Sequence, residues 1–561
     1  MSKRAQWKIL PTVPDEYLDS SGLPRLIAQL LYNRGVKLEN IDPFLSADHR
    51  LEGNSFLLPD ISQAVNRVYK AVLAREKIAI YGDFDVDGVT AMVILVEGLS
   101  RLGAELVPYI PDRINEGHGL KISALEKLHA QGVNLVITVD CGVTDLKEVK
   151  QAQDMGMDMI ITDHHMPLKN LPRAVAVVDP RRGDSAYPYP DLAGAGVAFK
   201  FLQALFHKDS REKWLARLMD LVVLATVTDL VPLVGENRYL VKEGLKELNN
   251  SSRVGIQEMV ALAGLRLGAL DAEDISWVLG PRLNAAGRMN NASTSYQLLT
   301  TQSAEEARLL AVELEKRNVE RQRLTSEILS RAKERLAARL HLPVLIEGDE
   351  SYSIGVIGLV ASKLVDEFYK PAIIINIGSE FCQGSCRSIA EFDMVSALTE
   401  CQDLLTAFGG HPLAAGFTVA RRNLTQLEQK IVNLARDRLS HLELRPEIVI
   451  DAELPLAALA GDTFNLIQKL SPFGARNPQP TLLTRQVEVI ECRSFGTQSE
   501  WLRLKLRQGN VTWQAVDFES RRKREEIPSH IDVVYNLEKS HWNGEEVLSL
   551  KLLDFAPAQF G

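Results

Sequence analysis

Three carboxylates at alternate positions, Asp83, Asp85 and Asp87, stand in the run GDFDVDG. Anionic side chains packed so closely repel one another, so a folded chain gathers them for a reason. A divalent cation supplies one, because it turns the repulsion into coordination. An acidic turn joining a strand to a helix is the plain alternative. Further along, Asp140-Cys141-Gly142 and Asp163-His164-His165 again place acids or histidines directly after an apolar run. Asp229 lies inside the apolar run LATVTDLVPL. A carboxylate among such neighbours is costly unless paired or metal-bound, which favours a ligand role over a helix-end cap. Hard oxygen ligands with one or two imidazoles favour magnesium or manganese over zinc or copper, and the histidines tilt the choice toward manganese. About six ligands exceed what one ion needs with room left for substrate, so the natural reading is a two-metal site. Such a site can ionise a water and clamp both the attacking and leaving oxygens of a phosphoryl displacement. The reaction class inferred is phosphoester hydrolysis.

The elements that position these groups follow from periodicity. Ile78–Tyr81 is a β-branched apolar run of the kind that makes a buried strand, and Thr90–Leu99 continues as a helix. Leu106–Ile110, Leu135–Val139, Met157–Thr162 and Ala174–Val178 predict further strands, the last ending in Asp179-Pro180. Strands alternating with helices argue for a mostly parallel sheet covered on both faces. In such sheets ligands collect beyond the carboxyl ends of the strands. Three predicted strands deliver an acid or histidine to that one edge.

Composition sets the frame. With 561 residues the chain is too long for one ordinary core, and 46% hydrophobic with 24% charged residues describes a globular protein. The apolar stretch Leu218–Val234 contains Asp220 and Asp229 and is short for a membrane span. No apolar signal core follows the N-terminus, so a cytoplasmic protein without membrane association is expected. Five scattered cysteines, with Cys382 and Cys386 the only close pair, make a zinc site improbable. A net charge of −9 argues against a uniformly basic nucleic-acid coat, so any such surface is local.

Five segments are expected. Residues 1–55 form an N-terminal helical segment around LPRLIAQLLY, and residues 56–302 the first α/β domain. GPRLNAAGR, at 280–288, reads there as a small-residue loop carrying Arg282 and Arg288. Residues 303–340 lack glycine and proline and predict a long charged connecting helix. A second α/β domain over 341–445 carries two glycine-rich segments, one with Ser385 and Arg387 and the other with His411. Backbone amides freed by those glycines would suit a phosphate. Residues 446–561 turn β-rich. WLRLKLR alternates leucines with basic residues and leads through Gln508-Gly509-Asn510 into Val511–Val516, while Ile531–Leu537 and Val547–Leu553 form a second hairpin through Asn543-Gly544. Short antiparallel strands with basic and aromatic residues suggest a small barrel of the oligonucleotide-binding (OB) kind.

The run DFDVDG, then VDCG, then a literal DHH, with GGHPLAAGF downstream, resembles the DHH phosphoesterase superfamily. Length, domain order, PDRINEGHGL, GPRLNAAGR and the terminal barrel are similar, within it, to the RecJ family of bacterial single-strand-specific 5′→3′ DNA exonucleases. The likeness covers nearly the whole chain. It implies an α/β fold: a DHH domain with a mostly parallel sheet and a DHH-associated domain, joined by a long helix, plus a C-terminal β-barrel of OB type. It implies two divalent cations, Mn2+ or Mg2+, held by Asp83, Asp85, Asp87, Asp140, His164, His165 and Asp229. It assigns catalysis to Asp83, Asp85, Asp140, Asp163, His164 and His165, with Asp163 orienting the adjacent imidazoles. Arg113, Arg282, Ser385, Arg387 and His411 would grip DNA phosphates, arginine because its fork meets two oxygens. A groove between the α/β domains would admit single-stranded DNA. A single-strand-binding protein and a DNA helicase are the expected partners, in repair and recombination.

Smaller superfamily members begin the first motif with a histidine, where this chain has Asp83, and that tells against the pyrophosphatase branch. Two other readings compete. One is an oligonucleotide or cyclic-dinucleotide phosphodiesterase, usually shorter and without the barrel. The other is a non-catalytic single-strand-binding scaffold, which would be free to lose ligands that are all present here.

Overall fold

The structure is a computed structural model describing residues 5–113, 116–289, 292–496, 501–518, 527–542 and 545–558. The chain divides into two compact units, one of Gly53–Val231 with Glu243–Arg445, the other of Lys3–Glu52, Pro232–Lys242 and Pro446–Gly561. Strand β1 (Gln6–Ile9) opens the chain and belongs to the second unit.

The first unit holds two sheets. β2 (Lys77–Tyr81), β3 (Glu105–Tyr109), β4 (Val133–Val139), β5 (Asp158–Thr162) and β6 (Ala176–Val178) form one all-parallel sheet in the order β3-β2-β4-β5-β6. Ile78–Tyr81 are buried throughout, as a parallel strand covered on both faces must be. Register aligns the strand ends: Tyr81 pairs Tyr109 and Thr138, Val139 pairs Thr162, and Thr162 pairs Val178. The chain therefore leaves β2, β4 and β5 at one edge, carrying Asp83, Asp140 and Asp163 with it.

The apolar stretch Leu218–Val234 is helical only in part. A 3-10 turn, Ser210–Leu218, leads into the helix Met219–Thr228, which Asp229 terminates, and Leu230 follows in the left-handed region with φ +56°. GPRLNAAGR is likewise a helix, Gly280–Arg288, and not a loop. Its proline stands in the first turn, where no amide hydrogen is needed. Its small residues allow close approach: a Cβ on Gly287 would lie 2.3 Å from the Phe84 carbonyl oxygen.

The charged stretch forms a helix, Ala304–Leu336, capped by Ser303 and carrying Glu305 and Glu306 in its first turn with Lys333 and Arg335 in its last. It leads to the second sheet, β7 (Leu345–Asp349), β8 (Ala372–Ile377), β9 (Phe381–Arg387), β10 (Leu405–His411) and β11 (Ala414–Ala420), ordered β10-β11-β9-β8-β7. Within it β7 and β8 are parallel neighbours and the other pairings are antiparallel. Both glycine-rich segments lie in strands. Gly384 is no source of a freed amide; it pairs Phe417 and Ile375, and a Cβ there would meet the Phe417 ring at 2.2 Å.

In the second unit β1 runs parallel to β12 (Glu447–Ile450), so the N-terminal stretch supplies a strand as well as helices. After β13 (Ala452–Glu453), the strands β14 (Leu482–Phe495), β15 (Trp501–Gln508), β16 (Val511–Asp517), β17 (His530–Trp542) and β18 (Glu545–Pro557) close into a ring, β14-β15-β16-β18-β17 and back to β14. Leu502, Leu504 and Leu506 point into the core with Ile531, Val533, Leu550 and Phe555. Closure pairs both sides of each of these strands over part of its length, which protects the sheet from edge-to-edge association. The expected Asn543-Gly544 turn lies outside the described residues, as do Ile114 and Asn115 of PDRINEGHGL. Among the described residues no helix is long and apolar enough to cross a membrane.

Candidate metal centre

The sequence-predicted ligands meet at the carboxyl edge of the first sheet. Three sets of side chains place ligand atoms within 4.8 Å of one another: Asp83, Asp85 and Asp140; Asp140, His164 and His165; Asp87, His164 and Asp229. His164 Nε2 lies 3.1 Å from Asp140 Oδ1 and 3.7 Å from both Asp87 Oδ2 and Asp229 Oδ2. Asp140 and His164 each belong to two sets.

Local structure fixes each group. Asp85 caps the helix Val86–Ser100 by accepting from Gly88 N at 3.1 Å. Gly88 must lack a side chain, since a Cβ would come within 2.7 Å of the Asp83 backbone. Asp87 accepts from the backbone N–H groups of Gly194 and Ala195, both at 2.6 Å, at the start of the helix Gly194–Leu205. Asp140 is held at φ +60°, a conformation uncommon outside glycine, which its surroundings must impose. Asp163 accepts from Val143 N, His164 N, His165 N and His165 Nδ1, at 2.7–3.1 Å. It thus holds the His165 imidazole, and His164 through its backbone only.

The electrostatics describe a site built for a cation. Burial, with Asp83 and Asp87 beside it, pushes the Asp85 carboxyl up to about 6. Burial and the nearby Asp87 push Asp229 up to about 8, and burial with four acidic neighbours raises Asp140 well above the carboxylate range. Burial also lowers His164. Burial would lower His165, yet its bond to Asp163 together with the charges of Asp163, Asp229 and Asp87 raises it to about 9. Burial would raise Asp163, yet the two imidazoles and the Val143 amide together more than offset it and hold the carboxyl low. Asp83 Oδ1, Asp140 Oδ1 and His164 Nδ1 are buried and make no hydrogen bond. Buried anionic oxygens left unsatisfied at one point, among mutually repelling carboxylates, fit a hard divalent cation.

A cationic wall stands beside the acids. Arg113 lies 4.9 Å over the Phe84 ring and close enough to Asp83 and Asp85 to feel both charges. Arg387 Nη1 donates to the Cys386 carbonyl at 2.8 Å and approaches Ser385 Oγ at 3.4 Å. Arg288, which ends the Gly280–Arg288 helix, neighbours Arg113, Arg321, Asp85 and Arg387, and burial with the adjacent guanidiniums lowers it to about 10. Arg113, Arg387 and Ser385 therefore gather at one place. Arg282 does not join them as an open phosphate ligand, being ion-paired with Glu315 of the long helix at 2.6 Å. His411 stands exposed at the end of β10, opposite Ala414. Sequence reasoning missed His118, Arg181 and Arg321. His118 Nδ1 lies 2.9 Å from Asp83 Oδ2, and Arg181 is near enough to Asp229 and His164 to act on both. Only the PDRINEGHGL and VDPRR strings signalled the first two.

Three family models match: the DHH family N-terminal domain over residues 77–226, the DHHA1 domain over 339–440 and the RecJ OB domain over 450–554. The single-stranded-DNA-specific exonuclease RecJ of Dickeya dadantii is 33% identical over 506 residues, 86% of each chain. The chain belongs to the RecJ family. The RecJ of Bacillus subtilis is 34% identical over 95% of this chain and 68% of its own length, and that of Escherichia coli 33% over 82% and 83%. Among solved structures, RecJ from Thermus thermophilus in complex with Mn2+ superposes with a TM-score of 0.85 at 28% identity, covering all of this chain and 81% of that one. The α/β and barrel architecture is that of this family.

Proposed function

We propose that the protein is a metal-dependent, single-stranded-DNA-specific exonuclease that hydrolyses phosphodiester bonds from the 5′ end and releases mononucleotides. The observation that carries this reading is the convergence of Asp83, Asp85, Asp87, Asp140, His164, His165 and Asp229 into three overlapping ligand sets. RecJ relatives named as single-stranded-DNA-specific exonucleases, and the RecJ crystals with Mn2+ and Mg2+, support it.

Asp83, Asp85, Asp87, Asp140, His164, His165 and Asp229 would hold two divalent cations, Mn2+ or Mg2+. The cations, when bound, supply Lewis acidity and an ionised water at neutral pH. The chain's own residues do the rest. Asp163 fixes the His165 tautomer, keeping Nδ1–H as donor. Asp87, tied to two backbone amides, cannot swing away. Arg113, Ser385, Arg387 and Arg288 hold phosphate oxygens beside the acids and orient the scissile bond. The outward basic face of β15, with Arg503, Lys505 and Arg507, would track the strand's backbone. Segments 56–302, 341–445 and 446–561 act as catalytic, DHH-associated and strand-binding domains. A single-strand-binding protein and a helicase as partners, a cytoplasmic location, and a role in repair and recombination complete the proposal.

A digestion time course with manganese tests it, using single-stranded DNA labelled at either end beside the duplex and a very short oligonucleotide. Progressive release of mononucleotides from the 5′ end of the single strand is expected. Activity confined to the short oligonucleotide, or binding without cleavage, would overturn the reading.

A further inference from the structure

His118 is 64% exposed at its side chain, yet one ring nitrogen reaches a nearly buried acid: Nδ1 stands 2.9 Å from Asp83 Oδ2. The loop is shaped for that reach. Gly117 and Gly119, on either side of the histidine, both lie in the left-handed region, with φ +73° and +77°. Only glycine takes that conformation without strain. The loop is pinned on both flanks. Glu116 accepts from Tyr109 Oη and Asp112 N, the Gly119 carbonyl accepts from Tyr81 Oη, and Leu120 N donates to Asp145 Oδ2 at 2.7 Å. The imidazole also rests on Phe84, with ring centroids 4.2 Å apart. A surface histidine with free rotamers would show none of this.

The contact bears on the metal centre through Asp83. A carboxylate has no proton to give, so His118 Nδ1–H is the donor and Asp83 Oδ2 the acceptor. With Oδ2 engaged, the remaining oxygen, Oδ1, is the buried one that makes no hydrogen bond. It belongs to the residue that shares a ligand set with Asp85 and Asp140. The geometry points to His118 as a positioning residue for the metal centre: it locks the Asp83 carboxylate so that Oδ1 faces the cation. This rests on Asp83 being a ligand. Asp163 does the same for His165, so one acid after β2 and one histidine after β5 each have a dedicated orienting partner.

Direct Mn2+ binding to the full-length protein, read from the free-ion electron paramagnetic resonance signal, tests the role without reference to turnover. His118→Ala should weaken binding by at least about ten-fold, the usual loss when an orienting partner is removed. His118→Asn, whose amide nitrogen takes the place of Nδ1 as donor, should restore most of it. In an Asp83→Asn background, His118→Ala should cost nothing more. Melting temperatures of the metal-free wild type and the two single His118 variants should be alike, since that side chain is largely exposed. Wild-type Mn2+ affinity in His118→Ala, with Asp83→Asn weakened, would overturn the inference while leaving the centre intact. Wild-type affinity in Asp83→Asn would remove the metal-site reading beneath it. A nitrogen hyperfine coupling from bound Mn2+ that vanishes in His118→Ala would make the imidazole a ligand and overturn the positioning role.

Discussion

The Asp87 carboxylate and the Gly194 amide meet at 2.6 Å, and the second Asp87 oxygen takes the Ala195 amide at the same distance. One acid of the cluster is therefore part of the scaffold as well as of the site. Asparagine at 87 offers one acceptor and one donor end, so an amide hydrogen would face another. Asp87→Asn should cost the metal-free protein about 1–3 kcal/mol and lower its melting temperature. It should also lose manganese binding.

Asp140→Asn should behave oppositely in the metal-free state. Asp140 has four acidic neighbours and a left-handed backbone that asparagine tolerates better than most residues. Removing its charge relieves repulsion, so the metal-free melting temperature should rise. Turnover and the stabilisation by manganese should both fall, turnover by at least about a hundred-fold. An active Asp140→Asn protein would dismiss the assignment.

The cluster also predicts a pH dependence. Asp229 is raised to about 8 and His165 to about 9, so the folded protein holds protons that the unfolded chain has released. Stability from both groups is present at low pH and lost as pH rises through those values. The depressed His164 titrates below about 6.5 and is silent in this window. Between about pH 6.5 and 9 the metal-free melting temperature should fall, and Mn2+ should abolish the fall. Asp229→Asn should make it shallower without metal, leaving the part that His165 contributes. A rise over that range would contradict the burial assigned to Asp229.

Arg387→Ala should weaken single-strand affinity and reduce its salt dependence by about one phosphate contact, with Mn2+ binding unchanged. Unchanged affinity and turnover would mean that the guanidinium serves only β9.

Gly287→Ala places a methyl group 2.3 Å from the Phe84 carbonyl oxygen, which is backbone and cannot rotate aside. A loss of about 1–3 kcal/mol is expected, with weaker Mn2+ binding. Circular dichroism should be unchanged, since the strain falls on one loop.

Much of this was legible in the sequence for a simple reason. Strands that end in acids announce both their periodicity and their edge, so Asp83, Asp140, Asp163, His164 and His165 could be placed together before any coordinates. Asp229 followed from the cost of a carboxylate in an apolar run. Gly280–Arg288 was not legible as a helix, because its glycines, proline and asparagine have low helical propensity and tertiary contact alone holds them there. Asn284, for example, accepts from Val86 N through its side chain. Gly384 misled for the same reason: its lack of a side chain makes room for Phe417 across the ladder, not for a phosphate. Arg282 pairs with a glutamate 33 positions away, a distance no local pattern reveals. His118 needed two left-handed glycines to reach Asp83, and their conformations are invisible in a string of letters.

The Gly280–Arg288 helix touches neighbours on two sides with no clearance. Gly287 abuts the Phe84 carbonyl, and a Cβ on Gly355, at the start of the helix Ile354–Phe368, would lie 2.2 Å from the Arg288 carbonyl. A wedge in backbone contact with both flanks transmits displacement instead of absorbing it. Pressing the second α/β layer toward the first therefore loads the Phe84 backbone, which stands between Asp83 and Asp85. The spacing of the two layers and the placement of the acids are thus mechanically linked in compression.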